Sequence, residues 1–122
     1  MPPRDPAIDH LLELLAPLGA ATVRRMFGGW GVYLDGEIVV LFARGVAFAK
    51  TDALTRAAFE AAGSAPFVFT SKGRTVETSY WSLPEAALDS SEALQPWAQL
   101  ALAAARRKPV AKRARGGRAK RR

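Results

Sequence analysis

The last seventeen residues of the chain, 106–122, carry ten Lys or Arg and no Asp or Glu. A run of like charge with so few apolar residues repels itself and cannot build a core. The preceding 105 residues hold eight basic and eleven acidic side chains, a net charge of about −3. The whole-chain charge of +7 therefore combines a mildly acidic body with a polycation.

The residues before the basic run have the size of one domain. Apolar residues make up 49% of the chain, enough for a core, and the absence of cysteine excludes disulfides and thiolate metal sites. No apolar stretch approaches a membrane span, and the N-terminus has no apolar signal core. We predict a domain over residues 1–107, a disordered basic tail over 108–122, and a cytoplasmic protein with no membrane contact.

Hydrophobic spacing predicts the first half of the domain. A helix begins at Asp5 and ends near Gly19, because its apolar residues recur at helical intervals. Asp35-Gly36 and Arg44-Gly45 separate β-rich runs, a pattern typical of hairpins. These runs predict a three-stranded meander whose central strand is apolar on both faces. The expected faces of that strand are Ile38, Val40 and Phe42 on one side, and Val39 and Leu41 on the other.

The second half continues with a helix over residues 53–62 that Thr51-Asp52 would cap. Two strands follow, over residues 67–70 and 75–83, with a turn between them. A final helix starts at Ser90 and runs to about Arg107. The predicted order α-β-β-β-α-β-β-α indicates an α+β fold with an antiparallel sheet.

Few residues in the body suggest chemistry. His10 is the only histidine, and the carboxylates are scattered, so we predict no catalytic residues, no metal site and no cofactor. The glycines at positions 28, 29 and 31 precede a strand rather than a helix, which favours backbone geometry over phosphate binding. Trp30, Tyr80 and Trp81 are typical of core or dimer contacts, with base stacking as the alternative.

The basic run is the most specific functional feature. Lysine and arginine clusters release counterions from nucleic acid, which favours non-specific, salt-dependent binding. The alternatives are a solubilising extension or one that docks on acidic residues of its own body. The predicted nucleic-acid-binding residues are Arg106, Arg107, Lys108, Lys112, Arg113, Arg115, Arg118, Lys120, Arg121 and Arg122.

Two motifs give the body a family resemblance. The sequence from about residue 8 to 107 resembles the N-terminal domain of the TfoX/Sxy family of DNA transformation competence regulators. The residues that carry the likeness are Arg25, Met26, Phe27, Gly28, Gly29 and Gly31, followed by Tyr80, Trp81 and Pro84. The resemblance implies a two-layer sandwich with an antiparallel sheet, similar to secretion chaperones, and it brings no catalytic residues.

The same resemblance implies a role in transcription regulation of DNA uptake, through an activator protein as partner. Full-length competence regulators carry a second, C-terminal domain, and in this chain the basic tail stands in that place. The sequence therefore predicts a non-enzymatic regulatory or adaptor domain whose tail contacts nucleic acid. The alternative is a protein–protein interaction module, a homodimer through its sheet edges and aromatic residues, with an inert solubilising tail.

Overall fold

The computed structural model describes residues 5–26 and 28–107, and within them six antiparallel strands form one sheet. The strands are β1 (Ala21–Met26), β2 (Gly29–Leu34), β3 (Glu37–Ala43), β4 (Val46–Lys50), β5 (Pro66–Ser71) and β6 (Arg74–Ser82). Their order across the sheet is β1-β2-β3-β4-β6-β5. The first four strands form a meander, and β6 lies between β4 and the edge strand β5.

Among the described residues, three α-helices accompany the sheet: α1 (Pro6–Leu15), α2 (Arg56–Ala61) and α3 (Ser91–Arg106). Both long helices start at capping side chains, which satisfy backbone N–H groups that lack a partner within the helix. Asp5 accepts a hydrogen bond from the N–H of Ala7 at 2.9 Å, and Ser90 accepts one from the N–H of Ala93 at 3.0 Å. The α+β class, with a helix first and last, is confirmed.

The predicted element order lacks β1, so the meander has four strands rather than three. β1 pairs with β2 alone in the described sheet, and its side chains are exposed or half-buried. An edge strand of this kind needs little apolar alternation, which is why the sequence pattern missed it. The second helix also begins later than predicted, because the Asp52 carboxylate binds the N–H groups of Leu54 and Thr55 and holds a turn there.

Three hairpin turns share one backbone conformation. Asp35-Gly36, Arg44-Gly45 and Lys72-Gly73 all have positive φ at both residues, between 51° and 85°. Turns of this kind match the right-handed twist of the strands they join. All three turns were expected from the sequence, and the glycine in each makes the second left-handed position accessible.

All three helices pack on one face of the sheet. The main core joins residues of α1, α2 and α3 to side chains of β2, β3, β4 and β6. The aromatic rings of Phe59 in α2 and Trp97 in α3 lie 5.0 Å apart within this helix layer. A smaller second cluster is built from strand residues without any helix residue. Within the part of the chain that the structure describes, helices therefore cover one side of the sheet, as in a two-layer sandwich.

A bulge in β3 changes the predicted faces of that strand. The register between β2 and β3 shifts between Val32 and Tyr33, so β3 contains one extra residue, Val39. Val39 and Val40 are consequently both buried in the main core. Ile38 was expected on the same side of the sheet as Val40. It lies instead on the opposite side, near Gly31, whose strand partner Leu41 belongs to the second cluster.

The glycines of the first family motif stand where a side chain would be strained or would collide with a neighbour. Gly28 has φ +73°, in the left-handed region that favours glycine. A Cβ on Gly29 would collide with the carbonyl oxygen of Phe42. A Cβ on Gly31 would meet the Sδ of Met26, whose side chain crosses β2 at that point. Two different close approaches therefore require glycine, one to backbone and one to a side chain.

This difference predicts an order of stability for two variants. Gly29→Ala should lower the free energy of unfolding by about 1–3 kcal/mol or more, since backbone atoms of β3 cannot move away cheaply. Gly31→Ala should cost less, because the flexible Met26 side chain can change its rotamer. Urea denaturation of both variants measures the difference. Equal losses, or a neutral Gly29→Ala, would contradict the proposed contact.

Candidate interaction surfaces

The sheet face away from the helices carries an apolar cluster, which we call the open face. Its members are Met26, Leu41, Ala43, Phe48, Phe67, Phe69 and Tyr80. Val46 and Val76, two of the most exposed large apolar side chains, lie on the same face. Val46 pairs with Ala43 and Val76 pairs with Phe69, and side chains of directly paired residues point to the same side of a sheet. Val46 is 42% and Val76 39% exposed. The open face is therefore an apolar surface that no described helix covers.

Aromatic rings dominate the centre of the open face. The ring of Phe67 lies 5.0 Å from that of Phe48 in a tilted arrangement, and 6.2 Å from that of Phe69. Phe67 is only 7% exposed. The register between β5 and β6 shifts between Pro66 and Val68, which places an irregularity at Phe67 itself. Ring packing, rather than a regular ladder, therefore holds this part of β5.

Three cations lie over aromatic rings of this face. The distances from cation to ring centroid are 5.6 Å for Arg24 over Tyr33, 5.9 Å for Arg44 over Phe67 and 5.2 Å for Lys50 over Tyr80. Such contacts orient a cation and contribute about 0.5–1 kcal/mol at exposed sites. Burial, with a contribution from Tyr33, raises the pKa of Tyr80, so its hydroxyl stays neutral at physiological pH.

A groove of about 350 Å³ opens at one end of the open face. It is lined by Gly28, Ala43, Arg44, Phe67 and Phe69. Apolar walls with one guanidinium can hold an apolar side chain next to an anion. The groove therefore has a defined chemical preference. Of its lining residues, only Gly28 belongs to the two family motifs, and no functional role was predicted for Arg44, Phe67 or Phe69.

A second charged feature fixes the end of α3. Arg107 donates two hydrogen bonds to Asp52, from Nε at 2.6 Å and from the guanidinium at 3.0 Å. The same carboxylate accepts backbone hydrogen bonds from Leu54 and Thr55. The bond from Arg107 is the main cause that lowers the pKa of Asp52 from 3.8 to about 2. The contact joins residues 55 positions apart, and no local pattern signals it.

Two of the ten predicted nucleic-acid-binding residues lie within the part of the chain that the structure describes. Arg106 and Arg107 are exposed at the end of α3. The eight others, from Lys108 onward, lie outside the described residues. Arg107 is engaged by Asp52, so it would have to leave that carboxylate to bind a phosphate.

The second motif and its neighbours are spread over both layers. Tyr80 lies on the open face, whereas Trp81 is buried in the main core with Trp30 packed against it. Pro84 precedes the short 3-10 helix Glu85–Leu88. In the first motif, Arg25 lies over the Trp30 ring at 5.3 Å, and Phe27 lies outside the described residues. The aromatic set predicted as a dimer contact therefore does not share one surface.

The described residues contain no group of three His, Asp or Glu side chains close enough to hold a metal ion. The exposed His10 ring has its Nε2 3.0 Å from the carbonyl oxygen of Leu88, which connects α1 to the segment just before α3. Within residues 5–26 and 28–107, no helix has the length and apolarity needed to cross a membrane.

The geometry thus defines a small α+β domain with helices on one face of its sheet and an apolar, cation-bordered face on the other. The chain matches the TfoX N-terminal domain over residues 13–105, and it belongs to that family. The family is of a regulatory or adaptor type and is not a known enzyme family. A search of curated proteins found no match.

The contact between Arg107 and Asp52 predicts a pH-dependent stability. The pKa of Asp52 is lower in the folded protein than its ordinary value, so ionised Asp52 stabilises the fold. The stabilisation is complete above the ordinary pKa of 3.8 and is lost as the pH falls through about 2. Asp52→Asn should unfold at lower temperature than the parent at neutral pH, and the two melting temperatures should converge between about pH 4 and pH 2.

Two further variants separate the parts of this contact. Asp52→Ala also removes the acceptor for the Leu54 and Thr55 N–H groups. It should lower the free energy of unfolding by about 1 kcal/mol more than Asp52→Asn does. Arg106→Gln is the matched control for Arg107→Gln, since it removes the same charge without touching Asp52. If both arginine variants lose the same stability, the ion pair is not the cause.

Proposed function

We propose that this chain is a non-enzymatic regulatory or adaptor domain that contacts nucleic acid, without sequence specificity, through its basic C-terminal segment. The observation that carries the proposal is the division of charge. Ten cationic residues without an acid follow a body in which acids outnumber bases by eleven to eight. A polyanion would be attracted to that segment and repelled weakly by the rest.

The distribution of acids within the body supports this division. Six of the carboxylates belong to α1, to its capping residue and to the region where α3 begins: Asp5, Asp9, Glu13, Glu85, Asp89 and Glu92. The hydrogen bond between His10 and Leu88 brings these two regions together in the helix layer. Nucleic acid should avoid that side of the domain. Its contacts are then expected at the far end of α3, where Arg106 and Arg107 lie.

Membership of the family supports the regulatory part of the proposal. Within it, we propose a cytoplasmic role near transcription control, with an activator protein as a second partner and DNA transformation competence as the process to examine first. The non-enzymatic part of the proposal rests on the family and on the groove of the open face, which is lined by one cation and no carboxylate.

Salt dependence of duplex DNA binding tests the proposed segment. The logarithm of the binding constant should fall with the logarithm of salt concentration, with a slope no steeper than about −9, the limit for ten phosphate contacts. A full-length variant with Gln at Lys112, Arg113, Arg115, Arg118, Lys120, Arg121 and Arg122 should show a much smaller slope. Its melting temperature should equal that of the parent. Unchanged DNA binding in this variant would defeat the proposal.

Self-association is the second candidate, and the free outer edges of β1 and β5 in the described sheet favour it. An edge-to-edge dimer should appear in sedimentation equilibrium at micromolar concentrations. Val23→Pro, which removes a backbone N–H from edge strand β1, should then reduce dimer formation. A parent protein that sediments as a monomer at all concentrations would exclude this candidate.

A further inference from the structure

We propose that the open face binds an acidic amphipathic helix of a partner protein, with an apolar side chain in the groove and a carboxylate on Arg44. This inference rests on the proposed adaptor role and gives that role a protein-binding surface. It concerns a part of the molecule distinct from the basic C-terminal segment. The two proposals can therefore fail separately.

The two faces of the sheet are covered unequally. All three described helices pack on one face, whereas on the open face Val46 and Val76 are about two-fifths exposed beside an aromatic cluster whose centre is packed. Exposed apolar side chains together with a groove are typical of an interaction site. An amphipathic helix is the element that commonly covers such a sheet face.

The charge of the open face favours an acidic partner. Arg24, Arg44 and Lys50 each lie over a ring of this face. The strand register places no Asp or Glu on the open side of the six described strands, since Glu37 pairs with Leu34 and Glu77 with Val68, on the opposite side. A partner that brings carboxylates to the border of the apolar cluster is complementary to this pattern.

Arg44 stands at the wall of the groove, at the first position of a hairpin turn with φ +54°. Asparagine or glycine would fit this left-handed position more easily than arginine. The turn holds the Arg44 guanidinium 5.9 Å from the Phe67 ring. Lys72 has the same backbone geometry in another turn but does not line the groove, so the place of Arg44, rather than its backbone conformation, favours contact with a carboxylate of the partner.

A second copy of this chain fits the open face less well. An isologous dimer would bring the same cations of two copies toward each other without a carboxylate on either face. Single-stranded nucleic acid also fits less well. Bases need flat, accessible rings for stacking, whereas Phe67 is 7% exposed and tilted against Phe48, and cations occupy positions over Tyr33 and Tyr80.

The test uses the full chain and a labelled helical peptide with leucine and phenylalanine on one side and glutamate along both flanks. The peptide has about 16 residues, which form a helix roughly 24 Å long because a helix rises about 1.5 Å per residue. Fluorescence anisotropy measures its affinity. A scrambled peptide of the same composition reports attraction to the basic segment alone, so only the excess affinity of the ordered peptide is counted.

Arg44→Asn is the decisive variant, and Lys72→Asn is its matched control. Both replace a cation at the first position of a left-handed hairpin turn, with φ +54° and +53° respectively, and asparagine tolerates that geometry. Arg44→Asn should weaken binding of the ordered peptide about tenfold, while Lys72→Asn leaves it unchanged. Melting temperatures of both variants establish that they fold.

Duplex DNA binding by the basic segment should be equal in the parent, in Arg44→Asn and in Lys72→Asn, which separates this test from the previous one. Three results would overturn the inference. They are equal affinity for ordered and scrambled peptides, equal peptide binding by both variants, and a single-stranded oligonucleotide whose binding depends on Arg44. Loss of self-association in Arg44→Asn would assign the face to a second copy instead.

Discussion

The packing of α3 across the middle of the sheet is the contact on which the rest of the fold depends. Its buried positions are mostly alanine, and they face β3 and β4, where Ala47 and Ala49 are also small. Small side chains on both partners let the helix approach the sheet closely, and α1 and α2 then pack beside it. Because all the described helices pack on that side, the other face of the described sheet is stabilised by side chains of the strands themselves.

The open face shows how strand side chains pack against one another without a described helix. Met26 crosses over Gly31, and Phe67 packs against Phe48, so that Leu41 between them is almost fully buried. The glycines of the family motif allow this arrangement by removing side chains where neighbouring groups must pass. The motif is therefore explained by the packing of two strands rather than by binding of a phosphate group.

Sequence reasoning predicted the features that depend on local chemistry. The X-Gly turns, the helix starts at Asp5 and Ser90 and the apolar stripe of α1 each depend on neighbouring residues, and each was expected. It missed β1, because an exposed edge strand has no apolar alternation, and it placed Val39 on the wrong side, because a bulge leaves no composition signal.

The candidate site was less accessible to the same reasoning. The sequence predicted strands over residues 67–70 and 75–83, but only the strand order places β6 and β5 beside β4 and brings their aromatic residues together. The pairing of Arg107 with Asp52 depends on tertiary structure alone. Each of these residues was visible in the sequence, whereas their distances were not.

The attachment of α3 at Asp52 has a mechanical consequence. A helix end normally frays first under tension, because its last backbone carbonyls lack partners. Here the guanidinium of Arg107 transfers a pull on the C-terminus to the turn after β4, which is itself held by a hydrogen bond from the Thr51 hydroxyl to the Ser79 carbonyl oxygen. Force applied beyond residue 107 is thus shared between the final turn of α3 and the turn after β4, instead of loading the helix end alone.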